Sequence, residues 1–240
     1  MRPEPVSSAA SEAYARLFET RVAHRGLWSP KGAPENSLAA LEAAVEAGYG
    51  VELDVRLSSD SVPVVFHDGG LERLVGRQGR VSDHTAAELG AMRLRDSREP
   101  IPRLSEVLAA VVGKAMLHIE IKSRPGQEGP LDAAVAALVE DYGGPFAIIG
   151  FNPRSHAWWA EHRPGVLRGL DCLEADDIVA NTATARPHFL ALEKGIVASR
   201  AAVEAREAGY PVMAWTIRSE EEAAAAEPYV DNIIFEGFRA

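Results

Sequence analysis

Two stretches of this 240-residue chain put ionisable side chains where a buried strand ordinarily carries valine or leucine. "VELDVRL" (51–57) holds Glu52 and Asp54 two residues apart, so on a strand both carboxylates point to one face. "LHIEIK" (117–122) alternates His118, Glu120 and Lys122 with Leu117, Ile119 and Ile121. Like charges this close repel, and a buried carboxylate is costly unless something positive meets it. Glu52, Asp54 and Glu120 form an all-oxygen set that suits one divalent cation, Mg²⁺ or Ca²⁺, better than zinc or copper. The competing account is pairing with arginines such as Arg25 or Arg56, because ion-pair networks mimic sites. His24 in "AHRG" and His67 in "VVFHD" are candidates for acid–base work, since imidazole titrates near neutrality. For each the plainer alternative is a packed, hydrogen-bonded core histidine. Arg25, through its fork, and Lys122, as a point charge, are candidate phosphate contacts. Lys122 also reads as a surface residue just past its strand, and Trp215 in "AWT" as either core or the wall of a binding site. "PENS" (34–37) reads as a helix start with Asn36 or Ser37 as its cap.

The elements that must position these residues alternate along the chain. Strands are expected at 21–26, 51–57, 115–122, 146–151, 166–171, 189–194, 212–217 and 232–237. Between them, 37–48, 105–112, 131–143, 199–209 and 219–230 read as helices, several starting at Ser and several ending at Gly. Eight strands with intervening helices predict an α/β fold, a (β/α)8 TIM barrel, with the apolar strand faces toward the helices and the polar set inward. One further strand, 62–67, follows 51–57 after only "SSDS", too short for a parallel crossover. The pair therefore predicts an antiparallel β-hairpin after the second barrel strand, with His67 folded back opposite Glu52 to within a residue.

Composition bounds the rest. With 47% hydrophobic and 25% charged residues the chain fits one domain over 1–240, residues 1–20 forming an N-terminal extension and 21–240 the barrel. A net charge of −10 argues against nucleic acid or an anionic membrane as the main partner, so an anionic substrate needs local cations or a metal. The single cysteine, Cys172, excludes an internal disulfide and a thiolate zinc cluster. The first twenty residues have no continuous apolar run, and no stretch is long enough to insert stably in a bilayer, so the cytoplasm is the expected location. The Ala-rich helices suit packing within one barrel and against a second subunit equally, which leaves a homo-oligomer open.

"HRG…PENS", "ELD", "VVFHD", "IPRLSEVL", "HIEIK", "GFNP" and "AWT", in that order from about Arg21 to Trp215, resemble the glycerophosphodiester phosphodiesterase family. The resemblance implies a barrel that hydrolyses glycerophosphodiesters to glycerol 3-phosphate and an alcohol with a divalent cation. It implies His24 and His67 as the acid–base pair, Glu52, Asp54 and Glu120 as metal ligands, and Arg25 and Lys122 as phosphate contacts. Trp215 becomes a wall for the glycerol or the alcohol, and Glu35 also matches, near the metal. The chain departs from the family pattern at Phe235-Glu236, where Thr-Asp is common, at "SSDS" and at "GFN". These departures touch the pocket mouth, not the ligands or histidines. Rival readings are a lysophospholipase D-type or cyclising activity of the same site, a silent barrel that binds phosphodiesters or a partner protein, and a metal-dependent sugar isomerase. The retained carboxylates count against the silent barrel, and the hairpin that delivers His67 counts against the isomerase.

Overall fold

Side chains alternate between the two faces of each strand, and in the strands Gly50–Leu57 and Leu117–Ile121 that alternation sends the polar set to one face and the apolar set to the other. The computed structural model describes residues 2–7, 10–111 and 113–240. Its strands are Val22–His24 (β1), Gly50–Leu57 (β2), Pro63–Val65 (β3), Leu117–Ile121 (β4), Phe146–Gly150 (β5), Leu167–Cys172 (β6), Phe189–Glu193 (β7), Val212–Ile217 (β8) and Asn232–Phe235 (β9). The sheet order is β1-β9-β8-β7-β6-β5-β4-β2-β3, and an additional β1–β2 pairing closes eight parallel strands into a TIM barrel. β3 stays outside the ring, antiparallel to β2, with Val55 opposite Val65 and Leu57 opposite Pro63. Extending that register puts His67 opposite Leu53, one residue from the expected partner.

Outward residues such as Val51, Leu53, Val55, Leu117, Ile119 and Ile121 pack under the helices in one large core. Inward residues Val22, Met116, Ala147, Leu167, Phe189 and Met213 form a second, separate cluster that fills the barrel interior. A Cβ on Gly169 would lie 2.3 Å from the Phe189 ring, so only glycine leaves room for that ring inside the lumen. The expected helices occur, the one over 105–112 as Leu104–Val111, with residue 112 outside the described residues. Residues 1, 8 and 9 of the expected N-terminal extension also lie outside them; Ser11–Arg16 within it is helical.

Helices Pro153–His162 and Ala175–Ala185, which the sequence reading does not name, complete the outer layer. The first carries a legible signal, Asn152 capping Arg154 and Pro153 at the opening position. Between β3 and β4, two short helices, Glu72–Val75 and Ala86–Ala91, share a small core of Phe66, Leu71, Leu74, Leu89 and Leu94. That module brings Arg73 and Arg95 against Glu35 in the loop after β1, and Arg80 into the cavity that Arg56 and Lys122 line.

Candidate active site

Strand register assembles the polar cluster. His24 is paired with Glu52 across β1–β2, and Asp54 with Glu120 across β2–β4. Neighbouring strands run about 4.8 Å apart, so these side chains share the inner face as close neighbours. One carboxylate oxygen from each of Glu52, Asp54 and Glu120 lies within 4.8 Å of the others, and all three residues are buried. Both predicted cations meet them. Lys122 Nζ lies 2.8 Å from Asp54 Oδ1 and 2.7 Å from Glu120 Oε1, so it is a largely covered, inward-facing residue and not a surface one. Arg25 Nε lies 3.1 Å from Asp54 Oδ2, while Arg56 makes no such pair and donates Nε–H to the His67 carbonyl at 2.7 Å.

The backbone after β1 explains Arg25. Arg25 and Gly26 have φ of 58° and 80°, both left-handed. A Cβ on Gly26 would sit 2.5 Å from the Ala40 backbone, so this position requires glycine. The turn aims the Arg25 amide at Glu52 Oε2, 3.0 Å away. In "PENS", Ser37 is the helix cap, accepting from the Ala40 amide. Asn36 does something else: its Nδ2 donates to Asp54 Oδ2 at 2.7 Å and its Oδ1 accepts from the Asp54 amide at 3.2 Å. Glu35 is not part of the carboxylate cluster. It is held behind Arg25, 2.7 Å from Arg25 Nη1 and 2.7 Å from Arg73 Nη1.

Each histidine is backed by a carboxylate. His24 Nδ1 is 2.6 Å from Glu236 Oε2, and His67 Nδ1 is 2.6 Å from Asp68 Oδ1. An ionised carboxylate only accepts, so in both rings Nδ1 carries the hydrogen and Nε2 is left for other work. His24 Nε2 lies 3.8 Å from Glu52 Oε2. Arg218 donates Nε–H to Glu236 Oε1 at 2.7 Å and so anchors the first dyad from behind.

Burial sets the electrostatics. Desolvation, with Asp54 and Glu120 adding to it, drives the Glu52 carboxyl well above the usual carboxylate range. Asp54 feels the same burial, but Lys122 and Arg25 outweigh it and hold it well below. Burial pushes Glu120 up to about 7 against the pull of Lys122. For Glu236 burial is overcome by the His24 contact and Arg218, which bring it down to about 2. Burial lowers both His24 and His67 below the ordinary imidazole value.

The donor set fits a hard divalent cation. Three carboxylates face only two cations, Arg25 and Lys122. Buried Asp171, whose carboxyl is also raised by burial and by Glu120, adds a further acid to the same cavity. Glu52 Oε1 is buried without a hydrogen-bond partner among the described residues. An all-oxygen cluster with excess negative charge and a spare buried oxygen is what Mg²⁺ or Ca²⁺ requires.

All eight predicted residues come together except that Asp54 sits behind the others. His24, Arg25, Glu52, His67, Glu120, Lys122 and Trp215 line one cavity of about 240 Å³ at the C-terminal rim, with Phe151, Asp171 and Arg218. Trp215 is fixed by its Nε1–H donating to the Ala191 carbonyl at 2.9 Å, and meets Phe151 edge-on at 5.5 Å. Asp68, Asp171, Arg218 and Glu236 are the residues that sequence reasoning did not single out. Glu236 stands at one of the departures from the family pattern, and Asp68 immediately follows His67.

Comparison with known proteins agrees with this geometry. The model of the glycerophosphoryl diester phosphodiesterase family matches residues 24–235. A glycerophosphodiester phosphodiesterase of Caldanaerobacter subterraneus is 38% identical over 126 residues, covering 48% of this chain and 51% of the relative. Human glycerophosphodiester phosphodiesterase 1 is 39% identical over 116 residues, covering 45% of this chain and 34% of the relative. The matched region thus spans about half or less of these curated relatives. Among solved structures, an Oleispira antarctica phosphodiesterase in complex with the product sn-glycerol-3-phosphate superposes with a TM-score of 0.84 at 27% identity. That superposition covers 93% of this chain and 94% of the other. A Thermotoga maritima glycerophosphodiester phosphodiesterase gives 0.74 at 29% identity, covering 90% and 94%.

Proposed function

The chain belongs to the glycerophosphoryl diester phosphodiesterase family, and from that premise we propose that it hydrolyses glycerophosphodiesters to glycerol 3-phosphate and an alcohol. The observation that carries the reading is the pair of carboxylate-backed histidines lining the cavity that Glu52 and Glu120 also line. Glu52, Asp54 and Glu120 would hold one divalent cation, Mg²⁺ or Ca²⁺, which supplies Lewis-acid stabilisation of the phosphate's developing charge when bound. Arg25 and Lys122 add fixed positive charge beside it, which lets an acidic protein hold an anionic diester. Trp215 and Phe151 form an aromatic wall for the glycerol.

Glu236 and Asp68 fix the ring orientation and tautomer of His24 and His67 and stabilise each imidazolium as it forms. Nε2 of one histidine takes a proton from the attacking water as the new P–O bond forms. The other histidine enters the step as the imidazolium, held by its carboxylate, and its Nε2–H delivers the proton to the alcohol oxygen as the old P–O bond breaks. The substrate in this reading is a small-molecule diester. No helix among the described residues is long and apolar enough to cross a membrane.

The test is to incubate the protein with glycerophosphocholine and quantify glycerol 3-phosphate with Mg²⁺, Ca²⁺ or EDTA. Metal-dependent product that disappears in Glu52→Gln is the expected result. Absence of product with every metal overturns the reading. A cyclic phosphate product would replace the water-first mechanism with attack by the substrate's own 2-hydroxyl.

A further inference from the structure

A second cavity, about 350 Å³, adjoins the first on its β2–β4 side, and Lys122 lines both. Its charged lining is Arg56, Arg80, Lys122 and Arg124, with no carboxylate among the lining residues. That is unusual in a chain with 35 acidic against 25 basic residues. Other cations at the barrel mouth are matched: Arg25 and Arg73 by Glu35, Lys122 by Asp54 and Glu120, Arg218 by Glu236. The guanidinium groups of Arg56, Arg80 and Arg124 reach no carboxylate within 4.0 Å among the described residues, although the Arg80 backbone amide donates to Asp83 Oδ2 at 3.2 Å.

The arrangement is built from the fold. Arg56 is the next inward position on β2 after Asp54, and its Nε–H is held by the His67 carbonyl. Its remaining guanidinium nitrogens are therefore turned by a fixed anchor. Arg124 follows β4 just beyond Lys122, and Arg80 is set by bridge pairing with Gly70. A Cβ on Gly69 would lie 3.9 Å from both Arg56 Nη1 and Arg124 Nη2. Those two nitrogens are thus at most about 8 Å apart, twice that distance, with a residue lacking a side chain between them. Asp54, Glu120 and Asp68 act on Arg56 through space, and Glu72 lines an adjoining cavity with Arg80 and Arg124. None of them pairs with these guanidinium groups, and a bound anion lowers the repulsion that remains among them.

We propose that this cavity is a subsite for the leaving alcohol, and that the preferred substrates are glycerophosphodiesters whose alcohol carries a second phosphate group. The inference rests on the diesterase reading above. With glycerol against Trp215 and Phe151, the other substituent of phosphorus extends past Lys122 toward the arginines. A phosphate monoester brings a charge of about −1.5 to −2 and three acceptor oxygens, which suit guanidinium forks better than a zwitterionic headgroup does.

A matched pair of substrates tests this: glycerophosphoinositol and glycerophosphoinositol 4-phosphate, which differ by one phosphate monoester. The wild-type protein is expected to favour the phosphorylated diester at least tenfold in kcat/KM, mainly through KM. In the double variant Arg80→Ala, Arg124→Ala that ratio falls toward one. Because the readout is a ratio on the same protein, partial loss of folding cancels. A wild-type ratio near one, or a preference that survives in the double variant, overturns the subsite while hydrolysis of glycerophosphocholine leaves the diesterase reading standing. No hydrolysis of any of the three diesters overturns both.

Discussion

The two ends of the barrel lumen use the same strands and the same inward alternation, yet they hold opposite chemistry. At the N-terminal end Val22, Met116, Leu167, Phe189 and Met213 pack against one another without charge. At the C-terminal end the next inward positions are His24, Glu52, Asp54, Glu120 and Lys122. β4 shows the transition step by step, from Met116 just below it through buried His118 to Glu120. Four residues along this strand, about 13 Å, separate packing that stabilises the ring from charge that must be balanced group by group. The lower half is built for stability. The upper half tolerates repulsion among acids for the sake of a site.

Removing either histidine should break the upper half without touching the lower. His24→Ala or His67→Ala is expected to lower kcat/KM by about 10²–10⁴-fold while the thermal unfolding midpoint stays near that of the wild type. A parallel collapse in stability would mean the two ends are not separable. Phe189→Ala makes the converse cut, since it empties a fully buried ring from the lower lumen. It should cost about 3–5 kcal/mol in denaturant unfolding and leave kcat of the folded fraction unchanged.

Acid sharpens the same contrast. His188, just before β7, accepts the Arg168 amide through Nδ1 and is held down to about 4 by burial, with Arg168 adding to it. Above the ordinary imidazole value it is neutral folded and unfolded. As pH falls below that value the unfolded chain takes up a proton that the folded one refuses until about 4, so stability drops through this window and levels off beneath it. His188→Asn keeps an acceptor for the amide and should flatten that limb by on the order of 2 kcal/mol, measured as unfolding free energy against pH. The smallest effect is expected from Glu236→Gln, which keeps an acceptor for His24 Nδ1–H but removes its charge. A loss of roughly 10- to 100-fold in kcat/KM, with metal affinity unchanged, would mark Glu236 as a positioning residue.

What the sequence made legible was whatever lies on one strand or one short hairpin. Glu52, Asp54, Glu120 and Lys122 could be read because alternation fixes which residues share a face. His67 could be read because four intervening residues leave the hairpin little freedom. Asp171 and Glu236 escaped for the opposite reason. Asp171 lies near the end of β6 and Glu236 just past β9, and the meaning of each depends on a neighbour supplied by a distant part of the chain. Asn36 was misassigned as an alternative cap because Asn and Ser are equivalent in that role until Asp54 is seen beside one of them. Helix 175–185 went unnamed because two aspartates and several β-branched residues blur its apolar stripe.

His24 and Glu236 are 212 positions apart and meet at the β1–β9 seam, where the ring closes. The hairpin bearing Glu52, Asp54 and His67 precedes β9 by more than 160 residues. The dyad cannot form until the final strand has left the ribosome and docked. Proton-transfer competence of His24 therefore depends on seam closure, and a failure of β9 to dock removes it even where the β2–β3 hairpin is intact.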